Sequence, residues 1–185
     1  MHHHRTALAR TVTAIVIVVT SLTLAAESAW AHVTVKPDTA PKGSFSLINF
    51  SVPNEEENAN TVKLEVTFPE AQPVAFVSIK PMVGWDITTE KTTLATPIKS
   101  DDGEVTEAVS KVTWTATAGG LLPGQFDLFT VSAGPLPTKG KTMTFKAVQT
   151  YSNGDVVRWI QTSVKGAPEP DHPAPVLRLT KATTN

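Results

Sequence analysis

The sequence predicts an all-β fold, a two-sheet antiparallel sandwich of immunoglobulin or cupredoxin type. Three observations lead there. Runs rich in Val, Ile, Thr and aromatic residues recur along the chain, several with period-2 alternation. Turn chemistry separates them: Pro53-Asn54, Gly119-Gly120, Pro123-Gly124, Gly134-Pro135 and Ser152-Asn153-Gly154. No window of helical period follows residue 31. About eight or nine short strands at close spacing make two packed sheets.

Taken in order, residues 33–36 open the first strand. Residues 44–52 carry Phe45, Leu47, Ile48 and Phe50, and residues 61–68 alternate as Val62, Leu64, Val66 and Phe68. Strands are expected at 75–80, 85–90, 107–117, 126–133, 142–151 and 155–164. The stretch Thr142-Met143-Thr144-Phe145-Lys146-Ala147-Val148 alternates clearly. The Tyr151-Ser152-Asn153-Gly154-Asp155 segment predicts a tight hairpin between the last two strands.

The ends read differently. Arg5 and Arg10 precede an apolar run through Ala14-Ile15-Val16-Ile17-Val18-Val19, and Ala29-Trp30-Ala31 places small residues at −3 and −1 of a cut before His32. This is the three-part pattern of a secretory signal over residues 1–31, shorter in its apolar part than a spanning helix, so an extracytoplasmic protein beginning at His32 is expected. His2, His3 and His4 would leave with that signal. The alternative is retention of the segment as an uncleaved anchor. Residues 32–165 then form the sandwich, and 166–185, which opens Gly166-Ala167-Pro168-Glu169-Pro170-Asp171-His172-Pro173, an extended Pro-rich tail in which 176–179 could add a short edge strand.

Composition narrows the function. The formal net charge is −1, with no basic stripe for nucleic acid. There is no cysteine, which excludes disulfides, thiolate metal sites and a lipid-bearing cysteine. No nucleophile elbow, phosphate loop or dinucleotide fingerprint is present, and a non-enzymatic role is expected. After cleavage the histidines are His32 and His172 and the methionines Met82 and Met143. Any metal site is therefore built from nitrogen and oxygen, which favours copper(II) over copper(I).

The junction at His32 supplies the specific chemistry. An N-terminal histidine offers its α-amine and its imidazole Nδ1, which close on one metal ion in a six-membered ring. The amine has a pKa of about 7.7–8.0, so its neutral form is accessible at neutral pH. A carboxylate would complete the site and offset positive charge. The competing reading is that His32 is merely the first residue after the cut. His172 is the other imidazole a two-histidine site would use, although its Pro-rich surroundings favour a solvent-exposed tail.

Several motifs, in order, resemble the bacterial YcnI-like family: Ala31-His32-Val33-Thr34-Val35, Phe50-Ser51-Val52-Pro53-Asn54-Glu55, Gly84-Trp85, Pro123-Gly124-Gln125-Phe126-Asp127, Gly134-Pro135-Leu136-Pro137, Gln149-Thr150-Tyr151-Ser152-Asn153-Gly154 and Val157-Arg158-Trp159. The resemblance implies an extracytoplasmic copper(II)-binding domain with a single-histidine brace. It implies that His32 gives the two nitrogens, that Glu55 gives oxygen, and that Trp159 lies beside the metal, with Trp85 and Trp114 as the other candidates. Glu56 and Glu57 are the register alternatives to Glu55. Family members are often tethered by a C-terminal apolar segment; this chain ends Lys181-Ala182-Thr183-Thr184-Asn185, which leads us to expect a secreted or loosely retained protein with no transmembrane helix. The partners expected are the copper ion and a donor or acceptor protein in the envelope. The alternative function is a cell-surface adhesion module, with a copper oxidase as a third reading.

Overall fold

The computed structural model describes residues 32–100 and 103–182. The expected signal, with its cut site and Trp30, lies outside the described residues. Twelve strands follow one another: β1 (Thr34–Lys36), β2 (Thr39–Pro41), β3 (Ser46–Pro53), β4 (Thr61–Thr67), β5 (Phe76–Ile79), β6 (Trp85–Ser100), β7 (Gly103–Ala116), β8 (Phe126–Gly134), β9 (Thr142–Thr144), β10 (Lys146–Tyr151), β11 (Val156–Trp159) and β12 (Val176–Thr180). Among the described residues there is no helix, and none long and apolar enough to cross a membrane.

A four-stranded sheet, β1-β3-β8-β5, and a five-stranded sheet, β11-β10-β4-β7-β6, are both antiparallel. The all-β sandwich expected from the alternation is what forms. A third small sheet, β2-β12-β9, adds a parallel pairing between β12 and β2.

The alternation has an energetic reason. Ile48, Phe50 and Val52 of β3 and Leu64 and Val66 of β4 are fully buried, while the residues between them face outward at least in part. Phe50 and Phe145 meet edge to face at 5.1 Å, and Phe68 and Phe145 at 5.3 Å. Trp114 packs edge to face on Phe129 at 5.6 Å and Trp85 on the same ring at 4.9 Å. Both of these tryptophans therefore belong to the core cluster or its flank.

Four elements differ from expectation. The 142–151 run is two strands in two sheets, because Phe145 is buried at the switch and its N–H donates to the Pro175 carbonyl. The expected strand at 85–90 runs on to Ser100 and pairs with β7 as a long hairpin. Its outer half, including Lys91-Thr92-Thr93 and Ala95-Thr96-Pro97, buries little, so no apolar alternation announced it. The strand expected over 155–164 stops at Trp159. The C-terminal segment is not an extended tail: β12 lies at the centre of the third sheet, with Leu177 and Leu179 buried and paired alongside Met143 and Ala40. Burial of those alternating leucines offsets the entropy of ordering the strand.

Candidate metal centre

The segment that follows His32 is held by pairing. Thr34 sits opposite Ser51 and Val35 opposite Phe50, and His32 lies two residues before β1 begins. Val33 and Val35 are buried and turn Thr34 and His32 toward the other side of the ladder.

Trp159 closes β11. It pairs with Ala147, and Gln149 is Ala147's same-face neighbour two residues along β10. Gln149 is fully buried in a register of otherwise apolar, core-facing positions. Its amide is nevertheless satisfied: Oε1 accepts the Trp159 indole N–H at 3.1 Å, while Nε2 donates to the Pro53 carbonyl at 2.9 Å and to Thr61 Oγ1 at 2.7 Å. One side chain thus ties Trp159 to the end of β3 and the start of β4. The indole, fixed in this way, meets the His32 ring at 5.8 Å and 62°.

Glu55 is the second residue of the loop after β3, following Asn54. Asn54 pins that loop: its buried Nδ2 donates to Ala59 and Leu121 carbonyls at 2.8 and 2.9 Å, and its Oδ1 accepts the Glu56 N–H at 3.0 Å. The Gly124 N–H donates to the Asn54 carbonyl at 2.9 Å. Glu55 itself is exposed, on the wall of an open hollow shared with Pro53, Pro123 and Phe126. The phenol of Tyr151 is pushed up to about 12, mostly by burial and further by the Glu56 and Glu55 carboxylates, which places both acids in its field.

The structure also brings in two residues the sequence had left in a tail. His172 packs on Trp159 with ring centroids 5.2 Å apart, and Glu169 Oε1 stands 3.5 Å from His32 Nδ1. The carboxylate within 4 Å of a His32 ring nitrogen is thus that of Glu169 and not that of Glu55. No three His, Cys, Asp or Glu side chains converge among the described residues. Donors for a metal at this corner are the His32 imidazole and nearby carboxylates, with the backbone nitrogen of His32 as the remaining candidate. Trp85 and Trp114, the other tryptophan candidates, are occupied in the core away from this contact. Gln149 had a legible signal, a polar residue on an apolar face; His172 stood out as the second imidazole but read as part of an exposed tail, and Glu169 had no signal, because only the folded path of the C-terminal segment brings them here.

A family model described as a domain of unknown function, DUF1775, matches residues 32–179. The chain belongs to the DUF1775 family. The match opens on His32 and ends within β12. This DUF1775 chain is 33% identical over 165 residues to the copper-binding protein CutI of Bacillus subtilis (strain 168), covering 89% of this chain and 70% of that protein. It is 40% identical to an uncharacterized protein from Nocardia farcinica whose crystal structure reveals an immunoglobulin-like fold, with a TM-score of 0.66 over 83% of this chain and 99% of that one. The motif resemblance to the YcnI-like family and the sandwich architecture both stand for this DUF1775 protein.

Proposed function

We propose that this protein binds copper(II) outside the cytoplasm and holds it for transfer, as a carrier and not an enzyme. The observation that supports this most is the corner itself: the His32 ring set against a hydrogen-bonded indole, with its Nδ1 turned to a carboxylate. A relative at 33% identity that is named copper-binding supports the choice of metal.

The donor chemistry fits the cupric ion. Cleavage before His32 would free an amine one chelate ring away from Nδ1, and Glu55 would bring oxygen from the pinned loop after β3. Nitrogen and carboxylate donors suit copper(II). Thioether donors are out of play, since Met143 is fully buried and Met82 is packed against the core. Trp159 shields one side of the corner from water, and its indole face attracts cations. A site with few protein ligands at a chain end releases its ion readily, which suits delivery to an envelope acceptor.

The test is a copper(II) titration of protein that begins at His32, beside one with a single glycine added before it. One ion per chain with a tetragonal nitrogen–oxygen paramagnetic resonance spectrum is expected. The added residue converts the amine to an amide and should weaken binding by more than the roughly 10–100-fold typical of losing an outer-shell partner. Equal affinity in the two proteins would refute the brace and leave the adhesion reading standing.

A further inference from the structure

We propose that Glu169 is a second carboxylate of the copper site, delivered by the segment 160–175, and that His172 anchors this segment without ligating the metal. The inference rests on the copper reading above.

The segment is a closed strap. Gln161 clasps both of its ends: its N–H donates to the His172 carbonyl at 3.0 Å, its carbonyl accepts the Ala174 N–H at 2.8 Å, and its Oε1 accepts the His172 N–H at 2.6 Å. With its backbone held on both sides, His172 lays its ring on Trp159. The same indole therefore carries the strap on one contact and His32 on the other.

Glu169 stands between Pro168 and Pro170. A residue before proline is confined to extended conformations, and each proline fixes its own φ, so little freedom is lost when this side chain engages a ligand. Its Oε1 lies 3.5 Å from Nδ1, the imidazole nitrogen a histidine brace would use. The pair is not there for stability. Glu169 is 67% exposed and His32 28%, and exposed pairs contribute almost nothing. The clasp at Gln161 puts the carboxylate where it is.

Charge balance gives it a purpose. A cupric ion carries two positive charges, and a neutral amine and neutral imidazole offset neither. Glu55 would offset one, leaving a net positive charge beside an indole in a half-buried corner. Glu169 offsets the second, from a solvent-facing position on the strap.

The experiment uses protein beginning at His32, titrated with copper(II) by calorimetry and examined by electron spin-echo spectroscopy, which counts imidazoles. Glu169→Gln should bind about tenfold more weakly, in line with a ligand or outer-shell partner, with its unfolding midpoint unchanged. His172→Phe, which keeps the ring on Trp159, should show the same single imidazole as the wild type. Wild-type protein that binds no copper would overturn the copper reading and this inference together. Wild-type binding with undiminished affinity in Glu169→Gln would overturn the inference alone, as would a second imidazole that disappears in His172→Phe.

Discussion

Gln149 shows how much one side chain decides. A buried primary amide is costly unless both its donors and its acceptor are used, and here all are, by Pro53, Thr61 and Trp159. Replacing it with leucine strands the indole N–H and the Pro53 carbonyl in the interior. Gln149→Leu should lose at least about 1–3 kcal/mol in urea denaturation. If Gln149 positions the indole, the same variant should also reduce quenching of tryptophan fluorescence by copper(II) at saturation. A loss of stability with unaltered quenching would make it a purely structural residue. Asn54 works the same way for the loop that carries Glu55, and its three side-chain hydrogen bonds explain why a Pro-Asn pair ends β3 where it does. Alternation along β10 is the signal that would single out Gln149, a polar residue on an apolar face; nothing in a linear pattern could say which three groups it satisfies, since they come from β3, β4 and β11.

Among the elements, β12 departs furthest from what composition suggested. Pro, Glu and Asp before it read as a tail, yet the strand is the middle of the third sheet. Leu177 is fully buried opposite Met143. Leu177→Ala should therefore cost about 2–5 kcal/mol, as large-to-small core changes do, measured by thermal or chemical unfolding. The outer half of the β6–β7 hairpin is the converse case. Thr106 is exposed there, and Thr106→Ala should change stability by less than about 0.5 kcal/mol. Gly120 has φ +75°, and a Cβ on it would lie 2.2 Å from the Thr61 carbonyl oxygen, so the turn that carries the Thr61–Leu121 bridge admits glycine alone.

For the molecule as a whole, the end that gathers His32, the Glu55 loop and Trp159 also has a titration signature. Tyr151 is the single tyrosine of the chain, so phenolate absorbance reports it directly. Its pKa rises from 10.0 to about 12 through burial and the neighbouring Glu56 and Glu55. The folded state then holds the phenol proton more tightly than the unfolded state. The resulting stability is fully present below pH 10 and is lost as pH climbs through about 12. Metal-free protein should show this fall in denaturation midpoint, and Tyr151→Phe should flatten it; a wild-type phenol titrating near 10 would contradict the burial. The sequence by itself determined the sandwich, most of its strands and the motifs at His32, Glu55 and Trp159, because period-2 alternation and turn chemistry are local properties of a strand; it did not separate Phe45 and Leu47, which are exposed, from Ile48 and Phe50, which are buried. Only the tertiary structure decided that Trp85 and Trp114 fill the core, that the C-terminal segment folds back as a central strand, and that Glu169 and His172 reach the His32 corner. Those placements depend on contacts between separate strands, some between residues far apart in sequence such as Leu179 with Ala40 and Glu169 with His32, and no local pattern encodes where a returning chain will dock.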